Sequence, residues 1–534
     1  MNFLKKDFAP NFINTIFYII IFAIGCFVLK DGLLNAEDRC YEFFYDGIKI
    51  YKNFFYGSWL MELENLLMFY IPHCLKFNLI DWSNTFGVLF QSFCYTSIIF
   101  FIGKFGKLGT KLSSKIILPV SFIAFCSIFL MYCLYNDPIL KTKIFELFIF
   151  LSFFRYFAAS CLLVIFFYNF YKLYLNEKPS VLLTTICAFF IGNAGEYTSA
   201  IAITTVFLAF LYKFFAEKVP FKELKSYVLI FVMLWVGFGL LTCTEGFQAY
   251  CSNYSGNYHF SLAKIISDIP DFGKMYAERL IVNYWYIHAI LIGLFALSYK
   301  KDKKNISKNI FPFFIVAGTF AFSATLIILG KNSYFGNYWL DYRDFYTVYI
   351  ILYTVCVSLS IFNFISDFSL ENNKKIVTCL MVFCLVITAI FIPYAKDFMI
   401  EKNNTKKFFY CLDKMRIFYE YKGITPYMPS VYSWNMFDAV RKPISYNFES
   451  DDIILYEDPF DKEYYDRMED FYYPQAYHIK FTNRAEDMIL SKNNTDAINY
   501  YKSLGGNFDE LKNGKIRFKN LEDKNFVLGI PKQK

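Results

Sequence analysis

The chain has 534 residues, of which 56% are hydrophobic, 22% aromatic and 19% charged, with a formal net charge of +8. A soluble domain carries about 25% charged and about 45–50% apolar residues. Here the apolar residues fall in long blocks, which excludes both an ordinary soluble core and disorder. The positive charge sits in short segments between those blocks, so it reads as membrane topology, with no role for nucleic acid.

A helix crossing the hydrocarbon layer needs about 20 apolar residues. Blocks of that kind lie at 11–30, 83–103, 116–135, 147–171, 179–194, 197–213, 227–243, 280–299, 310–330, 345–366 and 376–394, predicting eleven spans. Lys5 and Lys6 precede the first block as they would in a signal peptide. The block is long for that role, and Lys30-Asp31 follow it with no small-x-small cleavage site, so an uncleaved helix is expected.

The first connecting segment, 31–82, opens with Glu37-Asp38-Arg39. Carboxylates at a membrane surface can hold a divalent ion such as Mg or Mn, or take a proton from a sugar hydroxyl. A solvated acidic loop is the other reading. Farther along, Trp59 to Tyr70 is amphipathic and predicts a helix lying on the bilayer surface. Cys40 and Cys74 share this segment, and a bridge and two free thiols are both open. Elsewhere no CxxC or His/Cys metal spacing occurs, and the chain has four His.

Arg155 falls inside the fourth block. An arginine at that depth is costly unless it faces a polar cavity or a partner. Glu146, nine residues earlier, sits on roughly the opposite helix face, which favours a cavity and an anion. The next stretch, Pro179 to Tyr212, is interrupted only by Gly192-Asn193-Ala194-Gly195-Glu196. It predicts two shortened helices whose tip sinks below the membrane surface, with Glu196 at the tip either lining a wet cavity or reaching outside water. His288 reads as a packing residue. Arg343, near Lys331, Asp341 and Asp344, leads into the tenth block. It is either an interfacial anchor beside Trp339 or a bidentate phosphate donor.

The segments 104–115, 172–178, 213–225, 300–308 and 374–375 hold seventeen lysines. All fall on one side if the N-terminus is there too, and that side is the cytoplasm. An odd number of spans puts the tail, 395–534, outside. Its alternating segments Asp452–Tyr456 and Lys515–Lys519, and a helical stretch 495–504 stopped by Gly505-Gly506, predict a small α+β domain. Glu401-Lys-Asn403-Asn-Thr405 has the form of an extended N-glycosylation acceptor, used or fortuitous.

The order of these features resembles the polytopic glycosyltransferases of the GT-C class. More narrowly, it resembles bacterial membrane proteins grouped as domain-of-unknown-function family 6056. The resemblance rests on Glu37-Asp38 after the first span, on Glu196 in Gly-Asn-Ala-Gly-Glu-Tyr, and on Arg343 in Asn-Tyr-Trp-Leu-Asp-Tyr-Arg-Asp-Phe, and covers about residues 1–394. It implies sugar transfer at the outer face of a bacterial inner membrane, from a polyprenyl-phosphate donor to a glycan or glycolipid acceptor. Asp38 or Glu37 would be the base, and Arg155, Arg343, Lys331, Arg39 and Glu196 would bind substrate. A secondary transporter, which also uses broken helices, and a non-catalytic envelope protein are the competing expectations.

Overall fold

The computed structural model describes residues 2–29, 58–75, 82–110, 112–134, 157–177, 179–244, 284–301, 306–328, 343–370 and 373–396. It also describes short strands within 427–518 and the single positions or pairs 247, 270, 281–282 and 399. The chain divides into two compact units. The first is 1–30, 47–76 and 85–394, and the second is 31–46, 77–84 and 395–534.

The described residues of the first unit form helices and the short turns between them. Its helices are α1 (Asn2–Leu29), α2 (Trp59–Glu64), α3 (Val88–Phe105), α4 (Ser114–Leu134), α5 (Ala159–Tyr174), α6 (Val181–Ala194), α7 (Glu196–Leu211), α8 (Lys225–Thr242), α9 (Trp285–Lys301), α10 (Ile306–Ile328), α11 (Arg343–Asp367) and α12 (Lys374–Lys396). A π-helical stretch, Asn65–Tyr70, and a last turn, Ile71–Cys74, continue α2. Each predicted block overlaps one of these helices, and residues 147–156 of the fourth block lie outside the described residues. Among the described residues, seven helical segments are long and apolar enough to cross a membrane: Phe12–Leu29, Thr85–Phe105, Ser114–Met131, Glu196–Ala216, Phe221–Thr242, Val348–Asp367 and Lys374–Lys396. This is a membrane protein.

The expected pair of shortened helices is short on one side only. α6 has 14 residues, whereas α7 is carried on by a π-helical turn, Tyr212–Ala216, to a 21-residue segment. The extension is held by Lys213, which bonds Glu217 at 2.7 Å one turn later and sits 4.5 Å over the Tyr174 ring. α6 begins at Ser180, whose hydroxyl oxygen accepts from the Leu183 N–H at 3.2 Å, an N-cap.

Lipid gives helices no hydrophobic reason to associate, so close packing of small residues does the work. α6 crosses α8 with backbone against backbone. A Cβ on Gly192 would fall onto the Leu234 carbonyl, and one on Gly237 onto the Phe189 carbonyl. α7 crosses α10 the same way at Gly318, where a Cβ would lie 2.7 Å from the Ile201 carbonyl oxygen. The Thr205 hydroxyl lies 2.7 Å from the Ile201 oxygen and 3.3 Å from that of Phe314, tying the same crossing. α11 is the most enclosed helix, with Ile350, Leu352, Tyr353 and Cys356 fully buried. α12 is the reverse. It touches α4 through Phe391 on Phe129, 4.8 Å between ring centres, and leaves Leu385 71% exposed to lipid. His288 packs by its ring on Tyr353 and Phe320, as expected of a packing residue.

The lysine-bearing helix ends meet at one end of the bundle. Lys308 pairs with Asp367 at 2.5 Å, and Asn309 donates to the other Asp367 oxygen at 2.8 Å. Asn363 donates to the Lys308 carbonyl, Tyr174 to that of Ser307, and the Gly109 N–H to Glu177. These contacts join the α3–α4, α5–α6 and α10 termini with the end of α11, and Lys213 adds the end of α7 through Ser307.

In the second unit, Tyr446–Asn447, Asp452–Ile454 and Arg517–Phe518 form a three-stranded antiparallel sheet, with Ile453 opposite Phe518. The two alternating segments singled out from the sequence thus pair with each other. Tyr427–Pro429 pairs in parallel with Lys480–Thr482. The stretch 495–504 lies outside the described residues, as does Asn403.

Three stability predictions rest on these crossings and on the buried ion pair. Gly192→Val forces α6 off α8 and lowers stability by about 1–3 kcal/mol. Gly239→Val on α8 meets nothing within 4 Å and leaves stability unchanged. Lys308→Met strands the buried Asp367 carboxylate and costs about 3–5 kcal/mol. Thermal unfolding of the detergent-purified variants measures all three.

Candidate functional site

The interruption between α6 and α7 is one residue long. Gly195, in extended backbone, separates Ala194 from Glu196. A helix end leaves its last four carbonyls without intrahelical donors, and in a membrane such groups must find partners inside the protein. Here side chains supply them. The Thr198 hydroxyl reaches the Ile191 and Gly195 carbonyls at 3.0 and 2.9 Å. The Ser199 hydroxyl reaches those of Gly192 and Gly195 at 2.7 and 2.6 Å. Ser58, from the first connecting segment, donates to the Ala194 carbonyl at 2.8 Å.

Ser58 belongs to a latch. The Trp59 N–H donates to Asn193 Oδ1 at 3.0 Å, and its indole N–H to the Phe190 carbonyl at 2.7 Å. The Trp59 ring also stacks edge-on against Phe190, 5.2 Å between centres. Asn193 uses its other atom, Nδ2, on the Gly237 carbonyl of α8 at 3.3 Å. One buried amide therefore joins α6, α8 and the start of α2. The first turn of the amphipathic run Trp59–Tyr70 is thus anchored in the protein. Ser58 and Leu60 are buried, and Ser58 and Trp59 hold α2 to the end of α6 by hydrogen bonds. Its continuation does expose Leu66, Tyr70 and Leu75.

Glu196 is the first residue of α7 and half-buried, next to this latch. The partial positive charge of a helix N-terminus favours a carboxylate there. Glu62 of α2 is a second acid at this end, with both carboxylate oxygens shielded from solvent. Both are engaged with neighbouring groups. α6 separates this end from the lysine-bearing one by about 21 Å at 1.5 Å per residue.

Glu37, Asp38, Arg39, Arg155 and Lys331 lie outside the described residues. Arg343 is the first residue of α11, and its side chain lies outside them too. Of the predicted site residues, Glu196 alone has a described side-chain environment. Sequence reading missed Ser58, Trp59, Asn193 and Glu62. The local signals for them were an Asn inside the predicted break and an amphipathic run opened by Ser-Trp. Among the described residues, no group of three His, Cys, Asp or Glu could hold a metal. Cys74 carries a free, exposed thiol rather than a bridge. It hydrogen-bonds the Tyr70 phenol, holding that pKa above its ordinary value. No family model, curated protein or solved structure matches the chain.

Asn193→Leu removes both amide bonds and leaves the Gly237 carbonyl and the Trp59 N–H without their partner. Release of α2 is expected, seen as faster proteolysis in the 58–75 segment with the remaining helices still protected. In a variant retaining only Cys74, a membrane-impermeant maleimide added to intact cells is expected to label the protein. A single cysteine placed at Lys107 is expected to react only after permeabilisation.

Proposed function

We propose that this chain is a membrane glycosyltransferase of the GT-C type. It moves a sugar from a polyprenyl-phosphate donor to an envelope glycan or lipid acceptor at the outer face of a bacterial inner membrane. In this reading the chain has eleven spans, a cytoplasmic N-terminus and an outside C-terminal α+β domain that positions the acceptor. The observation that carries the reading is the latch at the break. The first connecting segment, which bears the Glu37-Asp38 pair, is tied by Ser58 and Trp59 to the helix interruption that bears Glu196. It is tied there at the end of the bundle away from the lysines, and in this reading the lysines mark the cytoplasm and the tie lies outside. A carboxylate beside a fixed polar break can hold sugar hydroxyls without neutralising a phosphate.

The proposed step is a single displacement. The acceptor oxygen attacks the anomeric carbon, the bond from that carbon to the phosphate oxygen breaks, and configuration inverts. Asp38 or Glu37 takes the acceptor proton. Arg155, Arg343, Lys331 and Arg39 neutralise the departing polyprenyl phosphate, with the arginines suited by their forked donors.

The test is a profile of lipid-linked sugars and envelope glycans in cells lacking the protein and in cells carrying variants. Asp38→Asn or Glu37→Gln should lower transfer by about 10²–10⁴-fold while the protein still inserts. Arg343→Lys should weaken transfer, because a point charge replaces a bidentate fork. Full transfer in both carboxylate variants would remove the base assignment. An unaltered glycan profile beside impaired solute uptake would favour the transporter reading, to which the interrupted α6–α7 pair also lends itself.

A further inference from the structure

α1 and α3 lie antiparallel at the lysine-bearing end of the bundle. Tyr18 stacks edge-on against Phe100, 5.2 Å between centres, and Gly25 meets Ser92 a few turns away. Between these helices and the start of α4 is an open cavity of about 500 Å³. The antiparallel register sorts its lining by depth. Asn14, Thr15, Lys104 and Lys107 stand at the mouth, and Phe22 and Phe100 line the wall toward the bundle centre. Lys104 Nζ lies 5.0 Å over the Phe100 ring, which keeps the ammonium at the border between the two zones. From Asn14 to Phe22 is about 12 Å along α1, close to the thickness of one hydrocarbon leaflet.

The mouth also offers an unused acceptor. Asn14 Oδ1 is shielded from solvent and meets no hydrogen-bond donor among the described residues. Deeper in the same cavity, the Thr96 hydroxyl is likewise shielded and unbonded among them. Two cations, a hydroxyl-seeking carbonyl and an apolar wall one leaflet deep match an amphiphile whose head carries both phosphate and hydroxyl. We propose that this groove binds one anionic phospholipid of the lysine-side leaflet. Its phosphate lies between Lys104 and Lys107, its head-group hydroxyl donates to Asn14, and an acyl chain runs along Phe22 and Phe100. Basic pockets between spanning helices take anionic lipid heads for the same reason. The groove lies at the end of the bundle away from the α6–α7 break, so the inference does not depend on sugar transfer.

Native mass spectrometry of the detergent-solubilised full chain tests it, with phosphatidylglycerol and phosphatidylcholine titrated in turn. Wild type should retain phosphatidylglycerol at least roughly tenfold better than phosphatidylcholine. Lys104→Gln/Lys107→Gln should lose roughly that preference. Thr15→Trp, which fills the mouth and keeps both lysines, should lower retention as much. Equal retention of the two lipids, unchanged retention in both variants, or displacement of the lipid by millimolar inorganic phosphate alone would overturn the proposal.

Discussion

The bilayer's refusal to solvate backbone governs the end of the bundle that carries the α6–α7 break. A helix pair broken by a single glycine exposes carbonyls that water would satisfy at no cost and lipid cannot satisfy at all. The chain answers with hydroxyls from the next helix and with a serine and a tryptophan from a connecting segment more than 130 residues away in sequence. The same requirement that completes the break therefore fixes where the first connecting segment goes. Glu196 and Glu62 come to one end of the bundle as a consequence of that satisfaction, and whatever chemistry happens there inherits a rigid backbone frame.

Close helix crossings make the frame possible. α6 approaches α8 near enough for the Asn193 amide to reach the Gly237 carbonyl only because Gly192 and Gly237 carry no side chain where the two backbones meet. Packing and polar satisfaction are thus one device: glycines admit the contact and the asparagine exploits it. At the opposite end, the Lys308–Asp367 pair and its amide neighbours close the bundle with charge instead. There the helix ends belong to loops rich in lysine, and a buried ion pair next to aqueous headgroups costs less than one at the membrane centre.

What the sequence made legible follows the range of the physics involved. Long apolar blocks are a local signal, and each one overlaps a helix among the described residues. The interruption at 192–196 was visible because Asn and Glu beside two glycines break an apolar run and are costly facing lipid, and Glu196 was visible for the same reason. The two alternating tail segments showed a period of two, and they pair as Asp452–Ile454 with Arg517–Phe518. Contacts between distant segments left no periodic trace. Trp59 reads as the start of an amphipathic helix, and Ser58 went unread, because nothing near them in sequence reveals the Ala194 and Phe190 carbonyls. The extension of α7 to Ala216 was missed because it depends on Lys213 finding Glu217 and the Tyr174 ring. Asp367 finds its partners, Lys308 and Asn309, nearly sixty residues away in sequence.

The central claim is that the first connecting segment is locked to the helix break inside the membrane-embedded unit. Disulfide trapping reads this directly. Ser58→Cys and Ala194→Cys, introduced together into a chain whose other cysteines are replaced, should cross-link in native membranes under mild oxidation and separate again on reduction. No cross-link in a protein that remains inserted and folded, or an equal yield from a cysteine at Leu75 paired with Ala194→Cys, would contradict the account.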